Sequence, residues 1–373
     1  MAEDKLSRST YLSRNIGNYA DELEVLALAY DKVEDLRYGT NPHQTAALYR
    51  PRALPAVIGG MQVLKTGKSG LSQTNLEDIS YALNICKFFT TACCVCMKHV
   101  NPSGAAVAVA NDTLLDVYRK ARDCDPRAAF GSVVAFNVEV DALTATEIMS
   151  TFVECVVAPG FSAAALAVFN DQQTYKLNAH IRILQCGDLA QLPRFVGDAV
   201  EGYRTIKVLA DGSLVVADPL LTNVRDCRDL QPASGSSKAL GTVCSNVTAT
   251  AAQLNDLVAA WYVNLSVRSN GVVISKNGGT LAVGTGEQDR VGAVEQAIWK
   301  YENKYEGPET IAGAVMASDG FFPFPDAVEI AAAAGISAIV APSGSLKDAM
   351  VITRANELNV ALYYAPERIF SHH

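Results

Sequence analysis

The sequence predicts an α/β protein made of two related halves, and three observations carry that reading. Helical signals alternate along the chain with short apolar runs of strand length. An apolar run that ends on a lysine, a polar residue and a turn occurs twice, closing once on Lys98-His99 and again on Lys276-Asn277. Between the two, residues 231–237 (Gln-Pro-Ala-Ser-Gly-Ser-Ser) have the composition of a linker or exposed loop, which sets an N-terminal half at 1–230 and a C-terminal half at 238–373.

Taken in order, the apolar segment 23–30 reads as a helix or a packing arm. Residues 36–44, Leu-Arg-Tyr-Gly-Thr-Asn-Pro-His-Gln, crowd a cation, an aromatic ring, an amide and a histidine around a glycine and a proline. A loop so rich in donors is a functional candidate. Gly67-Lys68-Ser69 resembles the end of a nucleotide-binding P-loop, but the glycine that motif requires earlier is Gln62 here. Gly284-Thr285-Gly286 opens like a dinucleotide fingerprint, yet its third glycine position holds Asp289. Neither a nucleoside triphosphate nor NAD is supported. Helices are predicted over 75–89, 113–123 and 144–153, and strands over 132–136 and 155–158.

The run Cys93-Cys94-Val95-Cys96-Met97 has the length of a strand buried on both faces. Lys98 and His99 follow it. Neighbouring strand residues point to opposite faces, so these two share a pocket only where the backbone bends. The bend is predicted at Asn101-Pro102-Ser103-Gly104, where proline fixes its own φ and keeps Asn101 extended. A strand that simply ends at the surface with two polar residues in water has the same spacing. In the second half Val272-Val273-Ile274-Ser275-Lys276-Asn277-Gly278-Gly279 repeats the order. Phe130-Gly131 precedes a helix and a strand at 155–158, as Phe321-Phe322 precedes a helix and a strand at 338–342, so the halves are copies of one design. Only the first copy carries a histidine.

With 49% hydrophobic and 19% charged residues the chain is globular, and 31 basic against 39 acidic residues with no basic stripe argue against nucleic-acid binding. No apolar run approaches the roughly 18 residues that span a bilayer, and Met1-Ala2-Glu3-Asp4-Lys5 is too polar to open a signal peptide, so a cytoplasmic protein without membrane contact is expected. Nine cysteines, several inside apolar runs, suit reduced thiols, and without a second Cys/His pair at zinc spacing no zinc is expected. A bound monovalent cation is left open.

At neutral pH an unperturbed histidine accepts a proton while lysine stays a cation. His99 and Lys98 therefore suit attack by a weak nucleophile on a carbonyl, one moving the proton and the other stabilising the oxyanion. A Schiff-base lysine is the alternative, but nothing in the sequence would lower the lysine pKa. Arg37 and Arg368 are candidates for phosphate, whose oxygens match the guanidinium fork. Phe321-Phe322-Pro323-Phe324 beside Asp326 can wall a pocket for a planar ring or form a core cluster.

Four stretches in order, Arg37 to Gln44, Lys98 to Ala106, Ser269-Asn270-Gly271-Val272 with Lys276-Asn277-Gly278, and Ser318 to Phe324, closely resemble the transformylase part of the bifunctional purine-biosynthesis enzymes. Those enzymes join 5-aminoimidazole-4-carboxamide ribonucleotide (AICAR) formyltransferase to inosine monophosphate (IMP) cyclohydrolase. The resemblance implies two tandem cytidine-deaminase-like units with mixed sheets flanked by helices, without the zinc signature of deaminases. It implies formyl transfer from 10-formyltetrahydrofolate to the 5-amino group of AICAR, with His99 as proton acceptor, Lys98 as stabiliser of the tetrahedral intermediate and Asn270 near the reacting groups. On the nucleotide it implies Arg37, Tyr38, Gly131, Glu154, Arg290, Phe321, Arg368 and His372, and on the folate Phe130, Val291, Phe324 and Asp326. It further implies a homodimer with shared active sites and, because no cyclohydrolase part precedes the match, a separate IMP cyclohydrolase. Pro325 stands where many members carry arginine, and Arg127 where some carry an apolar residue. Two other readings remain: a catalytically idle paralogue that binds a purine ribonucleotide as a sensor or partner subunit, and formate with ATP as the formyl source.

Overall fold

A computed structural model describes residues 14, 16–67 and 69–373. Residues 1–5 and Lys68 of the P-loop-like stretch lie outside that set. The first half runs β1 (Glu22–Val25), β2 (Leu28–Asp35), β3 (Ala47–Pro51), β4 (Gln62–Lys65), α1 (Gln73–Cys86), β5 (Cys93–Lys98), β6 (Asn101–Val107), α2 (Leu114–Asp123), α3 (Pro126–Ala129), β7 (Val133–Phe136), α4 (Ala142–Met149), β8 (Cys155–Ala158), α5 (Ala163–Asn170), β9 (Arg182–Gln185), β10 (Thr205–Val208) and β11 (Leu214–Ala217). The rest is β12 (Gln231–Pro232), β13 (Ser234–Ser237), β14 (Gly241–Cys244), α6 (Ala251–Asn264), β15 (Val272–Lys276), β16 (Gly279–Gly284), α7 (Arg290–Lys304), β17 (Val315–Ser318), α8 (Asp326–Ala333), β18 (Ala338–Pro342), α9 (Asp348–Glu357) and β19 (Ala361–Ala365).

Twelve strands form one mixed sheet in the order β4-β9-β8-β7-β5-β6-β16-β15-β17-β18-β19-β12. The order is palindromic about the β6/β16 contact: β5, β7, β8 and β9 occupy on one side the places of β15, β17, β18 and β19 on the other. This is the internal repeat seen in the sequence. The chain is thus α/β with a large mixed sheet flanked by helices. Helices α1 and α6 cover one face through a core that includes Leu83, Val95, Trp261 and Val273. The other face is covered by α2, α4 and α5 under the first half and by α7, α8 and α9 under the second. Cys93 to Met97 are all buried because β5 is sandwiched between those layers. Equivalent caps start the two face-covering helices: Ser72 with Asn75 for α1 and Thr250 with Gln253 for α6, each a reciprocal capping box.

Several expectations are corrected. Residues 23–30 are not helical; they form the β1–β2 hairpin, turning on Leu26 and Ala27 at φ 53° and 61°. The segment 231–237 is strand, with β12 on the sheet edge beside β19 and β13 paired with β14. The bend after β5 comes earlier than proline suggested: His99 and Val100 make the turn, and Asn101 already pairs with Lys98 in β6. Pro102 is accommodated because Ser103 is an extra residue in β6, a bulge of the kind that frees a strand position from donating. Gly104 is needed for close packing, since a Cβ there would lie 2.1 Å from the Ala121 carbonyl oxygen of α2. The helix predicted at 75–89 spans Gln73–Cys86, shifted because the Ser72 cap starts it earlier. Seven of the nine cysteines are buried free thiols, with Cys227 half-buried and Cys244 exposed.

Candidate active site

The β5–β6 turn is the most constrained stretch of backbone near the candidate residues. His99 and Val100 both sit at positive φ, 53° and 55°, as a two-residue type I′ hairpin demands. The equivalent turn of the second half uses Asn277 and Gly278, at 49° and 76°, the residue types such a turn favours. A β-branched valine in that conformation is strained, on the order of 1–3 kcal/mol, and persists only where the surroundings hold it. They do so here. Asp78 of α1 accepts the Val100 N–H at 2.7 Å, and His373 Nε2 donates to the Val100 carbonyl at 2.6 Å. Asn101 Oδ1 accepts from the Arg268 N–H at 3.0 Å and the Thr285 hydroxyl at 2.6 Å. Asp256 of α6 holds the second turn in the same way, accepting from Asn277 and Gly278 at 2.9 and 2.8 Å. There the lysine is tied to backbone, Lys276 Nζ donating to the carbonyls of Thr310 and Ala312.

Burial pushes the Asp78 carboxyl up to about 6, opposed by the Val100 N–H and by His99 beside it. Burial also holds His373 below its ordinary value, so near neutrality its ring is uncharged. With Nε2 donating to a carbonyl, Nδ1 is left to accept from the Ser371 hydroxyl at 2.8 Å.

Around Lys98 the first half gathers one cluster. Lys98 Nζ donates to the Phe130 carbonyl, next to Gly131 at φ 73°. A side chain at Gly131 would crowd both Lys98 Nζ and the Phe152 ring. Glu154 accepts from Asn75 Nδ2 at 2.9 Å, which ties the start of β8 to the first turn of α1. Arg37 and Tyr38 lie against the same turn: Arg37 N–H donates to Leu71 and the Gln73 N–H to Tyr38. The Arg37 guanidinium stacks 4.5 Å from the Tyr38 ring centre and donates to its hydroxyl at 3.0 Å. Burial, and the Arg182 guanidinium nearby, push Arg37 below its ordinary value. Arg37 and Arg182 are both buried, neither makes an ion pair among the described residues, and Arg37 Nε is buried without a partner. Two buried cations and an orphan donor are what an anion would satisfy.

A second cluster comes from the other half. Asn270 Nδ2 donates to the Glu287 carbonyl at 2.8 Å, and its Oδ1 accepts from Arg290 Nη2 at 2.6 Å. Arg290, the first residue of α7, also pairs with the fully buried Asp319. The Arg368 guanidinium lies 4.4 Å from the Phe370 ring centre, and His372 stands exposed at its edge. Phe321 and Phe324 are exposed on the loop before α8, Asp326 opens that helix, and Val291 packs partly buried against the second core.

Both clusters lie at one end of the sheet. Met97 is opposite Val133, and Val133, Cys155 and Arg182 are in register, so Gly131, Glu154 and Arg182 line up beside the turn. Val272 is opposite Ser318, which brings Asn270 and Asp319 to the same end. Among the described residues the hydrogen bonds joining the two clusters run through Asn101 and His373, not through Lys98, His99 or Asn270 side chains. Arg182, Asp78, Asn75 and His373 were missed in the sequence. Only Asp78 had a readable signal, its counterpart Asp256 at the same place in the repeat. No group of three or more His, Cys, Asp or Glu side chains suited to a metal occurs among the described residues, and no helix among them is long and apolar enough to cross a membrane.

Set against protein families, residues 4–300 match the model of the AICARFT/IMPCHase bienzyme. That span holds the buried Arg37 and Arg182, the Lys98-His99 turn and Asn270, and it covers well over half of the sequence. The chain belongs to the AICARFT/IMPCHase bienzyme family of purine-biosynthesis enzymes.

Proposed function

We propose that this chain transfers the formyl group of 10-formyltetrahydrofolate to the 5-amino group of AICAR, giving formyl-AICAR and tetrahydrofolate. The observation that carries the reading is a strained turn bearing Lys98 and His99 at the end of the sheet where Arg37 and Arg182 lie buried without an ion pair among the described residues. Arg37 and Arg182 would take the 5′-phosphate, and Tyr38 and Glu154 the sugar and base. The 5-amino nitrogen attacks the formyl carbon as His99 takes its proton. Lys98 stabilises the oxyanion, the bond from carbon to N10 breaks, and the proton is returned to N10. Proton transfer of this kind contributes about 100- to 10,000-fold.

Asn270, Arg290, Phe321, Arg368 and His372 would meet the nucleotide, and Phe130, Val291, Phe324 and Asp326 the folate. Because no hydrogen bond among the described residues joins the Lys98 or His99 side chain to Asn270, Arg290 or His372, we assign the complete site to a homodimer in which two chains contribute. Support comes from the β10–β11 hairpin, every residue of which is exposed, including Ile206, Val208 and Val216. An apolar surface of that kind calls for a partner. The test is product analysis after mixing the protein with AICAR and 10-formyltetrahydrofolate. A nucleotide heavier by one formyl group is expected; AICAR that binds and is recovered unchanged identifies the idle ribonucleotide-binding paralogue instead.

A further inference from the structure

The catalytic turn has two sides, and the buried Arg37, beside Tyr38 and the start of α1, belongs to one of them. On the opposite face of the sheet, between β6, β16, α3 and α7, a cavity of about 260 Å³ opens onto Lys98 and His99. Its far wall carries Lys300 and Lys304 of α7 and Asp125, the N-cap of α3. Lys304 Nζ pairs with Asp125 at 2.9 Å. Lys300 Nζ donates to the Val283 carbonyl at 2.8 Å and makes no ion pair among the described residues. Three lysines against one carboxylate leave the cavity cationic, in a chain whose net charge is -8. Burial, reinforced by Lys304, pushes Lys300 below its ordinary value, a cost that an anion in the cavity would offset.

We propose that this cavity holds the carboxylates of the glutamate that ends the formyl donor, with Lys300 as their principal partner. The proposal rests on the formyl-transfer reading. If the acceptor enters from the α1 side, the donor must bring its formyl carbon to His99 from the other, the side of α3, whose Ala128 lines the cavity and which the exposed Phe130 ends. The volume falls below the roughly 300–1,000 Å³ of a pocket for a whole drug-sized ligand, so it suits the tail and not the pteridine.

Initial rates with 10-formyltetrahydrofolate and with 10-formyltetrahydropteroate, which lacks the glutamate, test this in the wild type, Lys300→Gln and Lys300→Arg. Loss of the glutamate is expected to raise the donor KM about tenfold in the wild type and in Lys300→Arg, the worth of one charge-assisted contact, and less than about twofold in Lys300→Gln. The same ratio in Lys300→Gln as in the wild type overturns the proposal. AICAR binding by calorimetry confirms that each variant is folded. Calorimetry with p-aminobenzoylglutamate, p-aminobenzoate and inorganic phosphate needs no turnover and so separates this claim from the reaction itself. Tighter binding of the glutamate compound in the wild type and not in Lys300→Gln supports the pocket even if no formyl is transferred. Phosphate binding with no gain from the glutamate marks a free-anion site and overturns the assignment.

Discussion

Asp78→Asn separates the two things Asp78 does, accepting the Val100 N–H and placing a buried charge under the β5–β6 turn. Asparagine keeps an acceptor oxygen and removes the charge. The wild-type carboxyl is raised from 3.8 to about 6 by burial. Below about pH 4 it is protonated in both folded and unfolded chains and contributes nothing. Between 3.8 and about 6 the unfolded chain ionises while the folded one keeps its proton, so stability falls as pH rises through that window, and above it the penalty is constant. Each pH unit costs about 1.4 kcal/mol, which makes the whole loss about 3 kcal/mol. Urea unfolding at fixed protein concentration from pH 4 to 8 gives the comparison, because the other titrating groups cancel between wild type and variant. The expected result is a stability difference that grows in favour of Asp78→Asn by about 2–3 kcal/mol from pH 4 to 7. Asp256→Asn should show the same sign, since burial raises Asp256 too. Parallel curves for wild type and Asp78→Asn would refute the reasoning.

Three further outcomes follow from the geometry. Arg37→Gln should weaken AICAR binding by about 100-fold and Arg182→Gln by about tenfold in calorimetry, with Arg37→Lys intermediate because it loses the planar fork. Removing His373 should release the Val100 carbonyl and lower kcat about tenfold with little change in the KM for AICAR, the effect of one hydrogen bond of about 1–1.5 kcal/mol on a positioned turn. Gly104→Ala should destabilise by about 2–3 kcal/mol in urea unfolding, because its Cβ meets the backbone of α2 and not a movable side chain.

The central hairpin was legible because an apolar run ending in Lys98 is a local signal, and its recurrence at Lys276 exposed the repeat. The precise turn was not: proline at 102 drew the bend forward, whereas a type I′ turn through Val100 goes against local preference and is held from outside the hairpin by Asp78, by His373 and by Arg268 and Thr285, which donate to Asn101. Residues 23–30 read as helical because a short apolar stretch has no clear period, and pairing with β3 decided for strand. Arg182 could not be found, since it lies in a strand far along the chain and meets Arg37 only through the parallel register of β7, β8 and β9. The serine- and glycine-rich 231–237 looked like a linker because β12 and β13 are short edge elements with almost no apolar side chains.

Tetrahydrofolate release on mixing the protein with AICAR and 10-formyltetrahydrofolate, with His99→Ala and Lys98→Ala run alongside, tests the central claim most directly. Wild-type release that falls by at least about 100-fold in each variant, with AICAR binding retained, is the predicted result. Release that persists in both variants, or a wild type that binds AICAR and releases none, would contradict it.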